Sequence, residues 1–121
     1  MNEEAKKLET STTGDIMAEI YKAAETSTIK GSLGFLTATR GIVNTCATDP
    51  DAFADITAAV NMYFSMNWGD THEEDKPLND AAAKKPGSDR IVARYITRAG
   101  DIFIITEYDR SRTTVLFASE Y

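Results

Sequence analysis

Arg90-Ile91-Val92-Ala93-Arg94-Tyr95, Ile102-Phe103-Ile104-Ile105-Thr106-Glu107 and Thr113-Thr114-Val115-Leu116-Phe117 decide how this chain folds. Each run is rich in β-branched and aromatic residues, and a short polar turn separates it from the next. That is the pattern of an antiparallel meander. Ile102 to Ile105 is apolar at consecutive positions, which predicts a central strand covered on both sides. The turn after it carries Glu107, Asp109, Arg110 and Arg112, so charge falls beside a buried sheet face.

Upstream, Pro86-Gly87 breaks the chain before the meander. Asp49-Pro50 starts a helix, with an acid at the N-cap and proline in the first turn. Phe53, Ile56, Val60 and Phe64 form its apolar face, widened by Met62, Tyr63 and Met66. Trp68-Gly69-Asp70 ends it, and Thr71 to Glu74 fits a capping box for a short helix that Pro77 kinks or divides. Asp15 caps an earlier helix running to about Thr26, with Ile16, Ile20, Tyr21 and Ala24 on one face. Residues 1–13 are polar and read as a loose arm or a frayed helix. Leu33 to Thr39 reads as a short strand, Thr39-Arg40-Gly41 as a turn, and a brief helix follows over Ile42, Val43 and Cys46. The expected fold is α+β: an antiparallel three- to four-stranded sheet packed by helices over residues 31–121, with residues 1–30 as an N-terminal helical extension.

The chain has 121 residues, 42% hydrophobic and 26% charged, which suits one domain with one core. No apolar run approaches the roughly 20 residues of a membrane helix. Met1 to Lys7 has no apolar segment behind it, and Cys46 is the single cysteine, so a cytoplasmic protein with no secretory leader and no internal disulfide is expected. The formal net charge is −6 and is unevenly spread. Residues 49–80 hold eight acidic side chains against one base, Lys76, whereas residues 81–121 hold five acidic and seven basic. Naked nucleic acid is repelled by the acidic stretch; a protein that itself binds nucleic acid is attracted to it.

Chemistry-bearing motifs are scarce. Asp70, His72, Glu73, Glu74 and Asp75 offer oxygen ligands and one imidazole, but adjacent helical side chains diverge and no spaced His/Cys set is present, so no metal site is expected. Cys46 has no base in its neighbourhood of sequence, and there is no glycine-rich phosphate loop, so neither a catalytic residue nor a cofactor is assigned. Trp68, Asp70, Glu74, Glu107 and Asp109 are expected to meet Arg90, Arg94, Arg110 and Arg112 in an ion-pair network tying the Trp68 loop to the turn after the central strand.

Trp68-Gly69-Asp70, the Glu73-Glu74-Asp75 run with Asn79 downstream, Arg90, Ile104 to Ser111, Thr113 to Leu116 and the final Glu120-Tyr121 together resemble a family of small bacterial proteins carried on plasmids, phages and integrative elements. The likeness runs from about Leu33 to the end. Members are often labelled the modification subunit of a type I restriction enzyme; that activity needs a cofactor-binding glycine loop and an Asn/Asp-Pro-Pro-Tyr/Phe motif, and this chain has neither. It departs from the family at residues 1–30, at Thr39-Arg40-Gly41 where Thr-Pro-Gly is common, and at Ala118-Ser119 where a proline-containing end is common.

Functions of different classes follow. The first is a non-enzymatic accessory protein of a mobile element, an anti-CRISPR or antirestriction inhibitor, that binds a host defence or nucleic-acid-binding protein. Its contacts would be Asp51, Asp55, Asp70, Glu73, Glu74, Asp75 and Asp80, set into a basic channel, with no nucleic acid or membrane bound directly. The alternatives are a small metal-assisted hydrolase using Asp70, Glu74, Glu107 and Asp109, and a structural module that self-associates, for instance as a homodimer.

Overall fold

The computed structural model describes residues 14–121; the polar arm expected over residues 1–13 lies outside them. The elements in chain order are α1 (Ile16–Glu25), β1 (Phe35–Ala38), α2 (Arg40–Thr48), α3 (Pro50–Phe64), α4 (Lys76–Lys84), β2 (Ile91–Thr97), β3 (Gly100–Thr106) and β4 (Arg112–Phe117), followed by a 3₁₀ turn (Ala118–Glu120). The fold is α+β. No described helix is long and apolar enough to cross a membrane.

The meander forms as its sequence dictates. β2 pairs antiparallel with β3 from Ile91 opposite Thr106 to Thr97 opposite Gly100, and β3 pairs antiparallel with β4. The fourth strand corrects the expected all-antiparallel sheet: β1 lies parallel to β4, giving the order β1-β4-β3-β2. The physical reason lies at Thr39-Arg40-Gly41. Thr39 makes no hairpin there; its hydroxyl accepts the Ile42 N–H and starts α2. A strand followed by helices has no hairpin partner, so nothing forces an antiparallel neighbour. Gly34, with φ of 70°, admits β1 to the edge of β4, because a Cβ there would lie 2.3 Å from the Arg110 carbonyl oxygen.

α1, α2 and α3 pack on one face of the sheet, and α4 flanks the β2 edge, with Ala82 and Ala83 in the same core. Ile91, Ala93 and Tyr95 share that face with Ile102, Ile104, Thr106, Thr113 and Val115, and are buried in one cluster with Ile56, Val60, Tyr63 and Phe64 of α3. α1 belongs to the same core through Ile16, Ile20 and Ala23; Tyr21, expected on its apolar face, is half exposed. The Asp49 carboxylate accepts the Asp51 and Ala52 N–H groups, so Asp49-Pro50 starts α3 as its sequence requires. Through this core runs a chain of hydroxyls. Thr113 donates to the Leu33 carbonyl at 2.7 Å, so it must accept from Thr106 at 2.8 Å, and Thr106 accepts from the Tyr63 phenol at 2.7 Å. Four segments are thereby tied together with their buried oxygens satisfied, and burial pushes the Tyr63 phenol well up.

The opposite face of the sheet carries Val92, Phe103, Ile105 and Leu116 and no helix. The chain's end partly shields it, with the Tyr121 ring edge-on to Phe103 at 5.6 Å between centroids.

Candidate functional site

β2 is an edge strand, and an unpaired edge invites pairing with another chain. Here side chains occupy it. The Asn79 amide donates to the Val92 carbonyl at 2.8 Å and accepts the Val92 N–H at 3.2 Å, imitating a neighbouring strand. The Thr71 hydroxyl accepts the Arg94 N–H at 2.9 Å, the Asp70 N–H donates to the Arg94 carbonyl, and the Asp70 carboxylate accepts the Ile96 N–H at 2.9 Å. Gly69, with φ of 59°, lets the loop come this close, since a Cβ would meet the Tyr95 ring at 2.4 Å. Trp68 anchors the loop: its ring is buried edge-on to Tyr63, and its Nε1–H donates to Asp80 at 2.8 Å.

Around this plug lies a hollow of about 370 Å³. Val92 and Phe103, on the helix-free sheet face, and Leu78 of α4 line it with apolar surface; Thr71, His72, Asp75, Asn79, Asp89, Arg90 and Arg94 supply its polar lining. Leu78 is 62% exposed, large for a leucine. Both arginines are hydrogen-bonded, but only Arg94 has a carboxylate partner among the described residues. Arg94 binds Asp101 through Nε at 3.1 Å and Nη2 at 2.6 Å, and Arg90 donates to the Tyr121 hydroxyl at 3.0 Å. Asp75 and Asp89 have no basic side chain within ion-pair distance among the described residues; nor has Glu74, next to Asp75.

No family model matches the chain, and neither the curated proteins nor the solved structures yield a match.

The expected ion-pair network is replaced by other contacts. Among the described residues no arginine bonds Asp70, Glu74, Glu107 or Asp109. Asp70 serves the Ile96 end of β2, whereas Glu107 follows Thr106, which pairs with Ile91 at the other end. Five residues of strand put about 17 Å between those ends. Trp68 bonds Asp80 rather than an arginine partner. Arg110 turns inward: its Nη1 donates to the Lys30 and Ser32 carbonyls at 2.6 and 3.0 Å, and its Nη2 to Ala82 at 2.9 Å. Asp109 stays exposed and is held below its ordinary value by its hydrogen bonds with Ser111.

The acids expected to face a partner separate into groups. Asp51 and Asp55 pair with Arg98, at 3.5 and 2.9 Å; the hydrogen bond from Arg98 holds Asp55 below the usual carboxylate value. Glu73 pairs with Lys76 at 2.6 Å. Asp80 is half-buried on Trp68. Glu74 and Asp75 remain outward. The capping box expected over Thr71 to Glu74 does not form, because Thr71 is buried against β2 and α4 begins at Lys76, with Pro77 in its first turn. Among the described residues no three His, Cys, Asp or Glu side chains stand where they would hold a metal. Cys46 is buried, and desolvation pushes its thiol up to about 11, with Asp49 adding to the rise.

Sequence reasoning missed Leu78, Val92, Phe103 and Asp89 as site residues. Only the helix-free side of the sheet gathers them, and no local pattern announces which side that is.

Proposed function

We propose that the protein is a non-enzymatic binding protein that docks on a basic surface of a nucleic-acid-handling host protein. One observation carries this: Asp75 and Asp89, with Glu74 alongside, border an open hollow and have no basic side chain bound to them among the described residues. Carboxylates left in this state raise the encounter rate with a basic partner and make its binding fall with salt. The likeness to proteins of mobile elements supports an anti-defence role, as an antirestriction or anti-CRISPR inhibitor. The inhibitor covers the partner's basic channel and so excludes nucleic acid.

Phage plating on hosts carrying a restriction or CRISPR system tests this. Expression of the protein is expected to raise plating efficiency by at least about tenfold. The triple reversal Glu73→Lys, Glu74→Lys, Asp75→Lys is expected to abolish the rise while leaving the thermal midpoint within a few degrees, since these side chains are exposed. Unchanged plating with the wild-type protein across such hosts, or full relief by the reversed protein, overturns the reading.

A further inference from the structure

We infer that the hollow seats one aliphatic or aromatic side chain from a lysine- or arginine-flanked segment of the partner. This rests on the binding role just proposed and names the chemistry of the contact.

Four features select that occupant. The hollow's apolar surface comes from Leu78, Val92 and Phe103, which favours an uncharged side chain at its centre. Its volume of about 370 Å³ is at the low end of the roughly 300–1,000 Å³ typical of small-molecule sites, so it suits a single anchor better than a large cofactor. The backbone groups of Val92, Arg94 and Ile96 on the adjoining edge already bond Asn79, Thr71 and Asp70. A partner therefore has no free main-chain ladder there, and recognition falls to side chains. Charge decides the flanks: Arg94 is paired with Asp101, Arg90 donates to the neutral Tyr121 hydroxyl and keeps its charge, and Asp75 and Asp89 hold no cation among the described residues. Two carboxylates thus stand against one guanidinium without a carboxylate partner, so the rim favours a cationic segment over an anionic one.

The experiment titrates the ¹⁵N-labelled full chain with three synthetic peptides: a leucine between lysine pairs, the same peptide with the leucine replaced by alanine, and the same with the lysines replaced by glutamate. The leucine–lysine peptide is expected to shift the amide signals of Leu78, Val92 and Phe103. The alanine peptide is expected to bind at least about tenfold more weakly, and the glutamate peptide not measurably. Leu78→Asp, at an exposed position, is expected to lose the interaction with its amide spectrum otherwise preserved. Equal binding of the leucine and alanine peptides, shifts confined to other surfaces, or no shift at millimolar peptide overturns the inference. Phage plating separates it from the role above. If Leu78→Asp still relieves restriction but Glu74→Lys does not, the hollow is not the contact and the binding role stands. If the leucine–lysine peptide seats in the hollow and no defence system is relieved, the hollow stands and the anti-defence role falls.

Discussion

Arg110 has φ of 61°, in the left-handed region where a residue other than glycine is uncommon. Its side chain turns inward to the loop before β1 and the end of α4, and the residue is only 7% exposed. A guanidinium suits the position because its planar fork reaches Lys30, Ser32 and Ala82 together, closing the loop before β1 onto the last turn of α4. A cation near the carbonyl end of a helix is also favoured by the helix dipole. Arg110→Ala is expected to leave three carbonyls without their donor, that of Ala82 buried and those of Lys30 and Ser32 partly so, and to cost about 2 kcal/mol in urea unfolding. Arg110→Lys is expected to recover only part of that, because an ammonium lacks the fork. The sequence marked Arg110 as important and misjudged its partners: with Glu107 and Asp109 beside it, a carboxylate was the natural guess. What it did not show was the sign of φ, which decides whether the side chain points to those acids or into the protein.

At the scale of elements, legibility followed how local the cause was. α3 was readable from Asp49-Pro50 and its apolar stripe, since cap and periodicity lie within the helix itself. The meander was readable because consecutive strands joined by tight turns pair with each other. The start of α4 was not, because Thr71 had two possible uses, a cap for the following residues or an acceptor for β2, and tertiary packing chose the second. The guarded edge of β2 makes a sharp expectation. Asn79→Leu keeps the volume roughly constant but removes two hydrogen bonds to Val92, and is expected to cost about 2 kcal/mol. It also exposes strand edge, so light scattering is expected to show self-association that the native chain lacks at the same concentration. A monodisperse Asn79→Leu protein of native stability would show that the plug is dispensable.

For the whole molecule, charge is distributed in two ways. Arg98, in the turn joining β2 to β3, fastens that turn to α3 through Asp51 and Asp55. Because the folded state holds Asp55 below its ordinary value of 3.8, the pair's contribution is complete above that pH and disappears as pH falls through the lower folded value. The stability gap between native protein and Asp55→Asn is thus expected to be constant from neutral pH down to about 5 and to narrow as pH falls below 3.8 and through the lower folded value in acid titrations of urea unfolding. The carboxylates beside the hollow have no such internal use, and their influence is expected in the salt dependence of binding. This division was invisible in the run of eight acids, because the cation that claims two of them lies in a distant turn. The parallel seating of β1 has its own consequence. Its partner comes from the far end of the chain, no turn zips the two together, and closing that long loop carries an entropy cost the meander avoids. β1 is accordingly expected to be the last strand to dock and the first to detach, so in deuterium those of its amides that bond β4 or Ser111 just before it, such as Phe35, should exchange through a partial opening that leaves the three remaining strands protected.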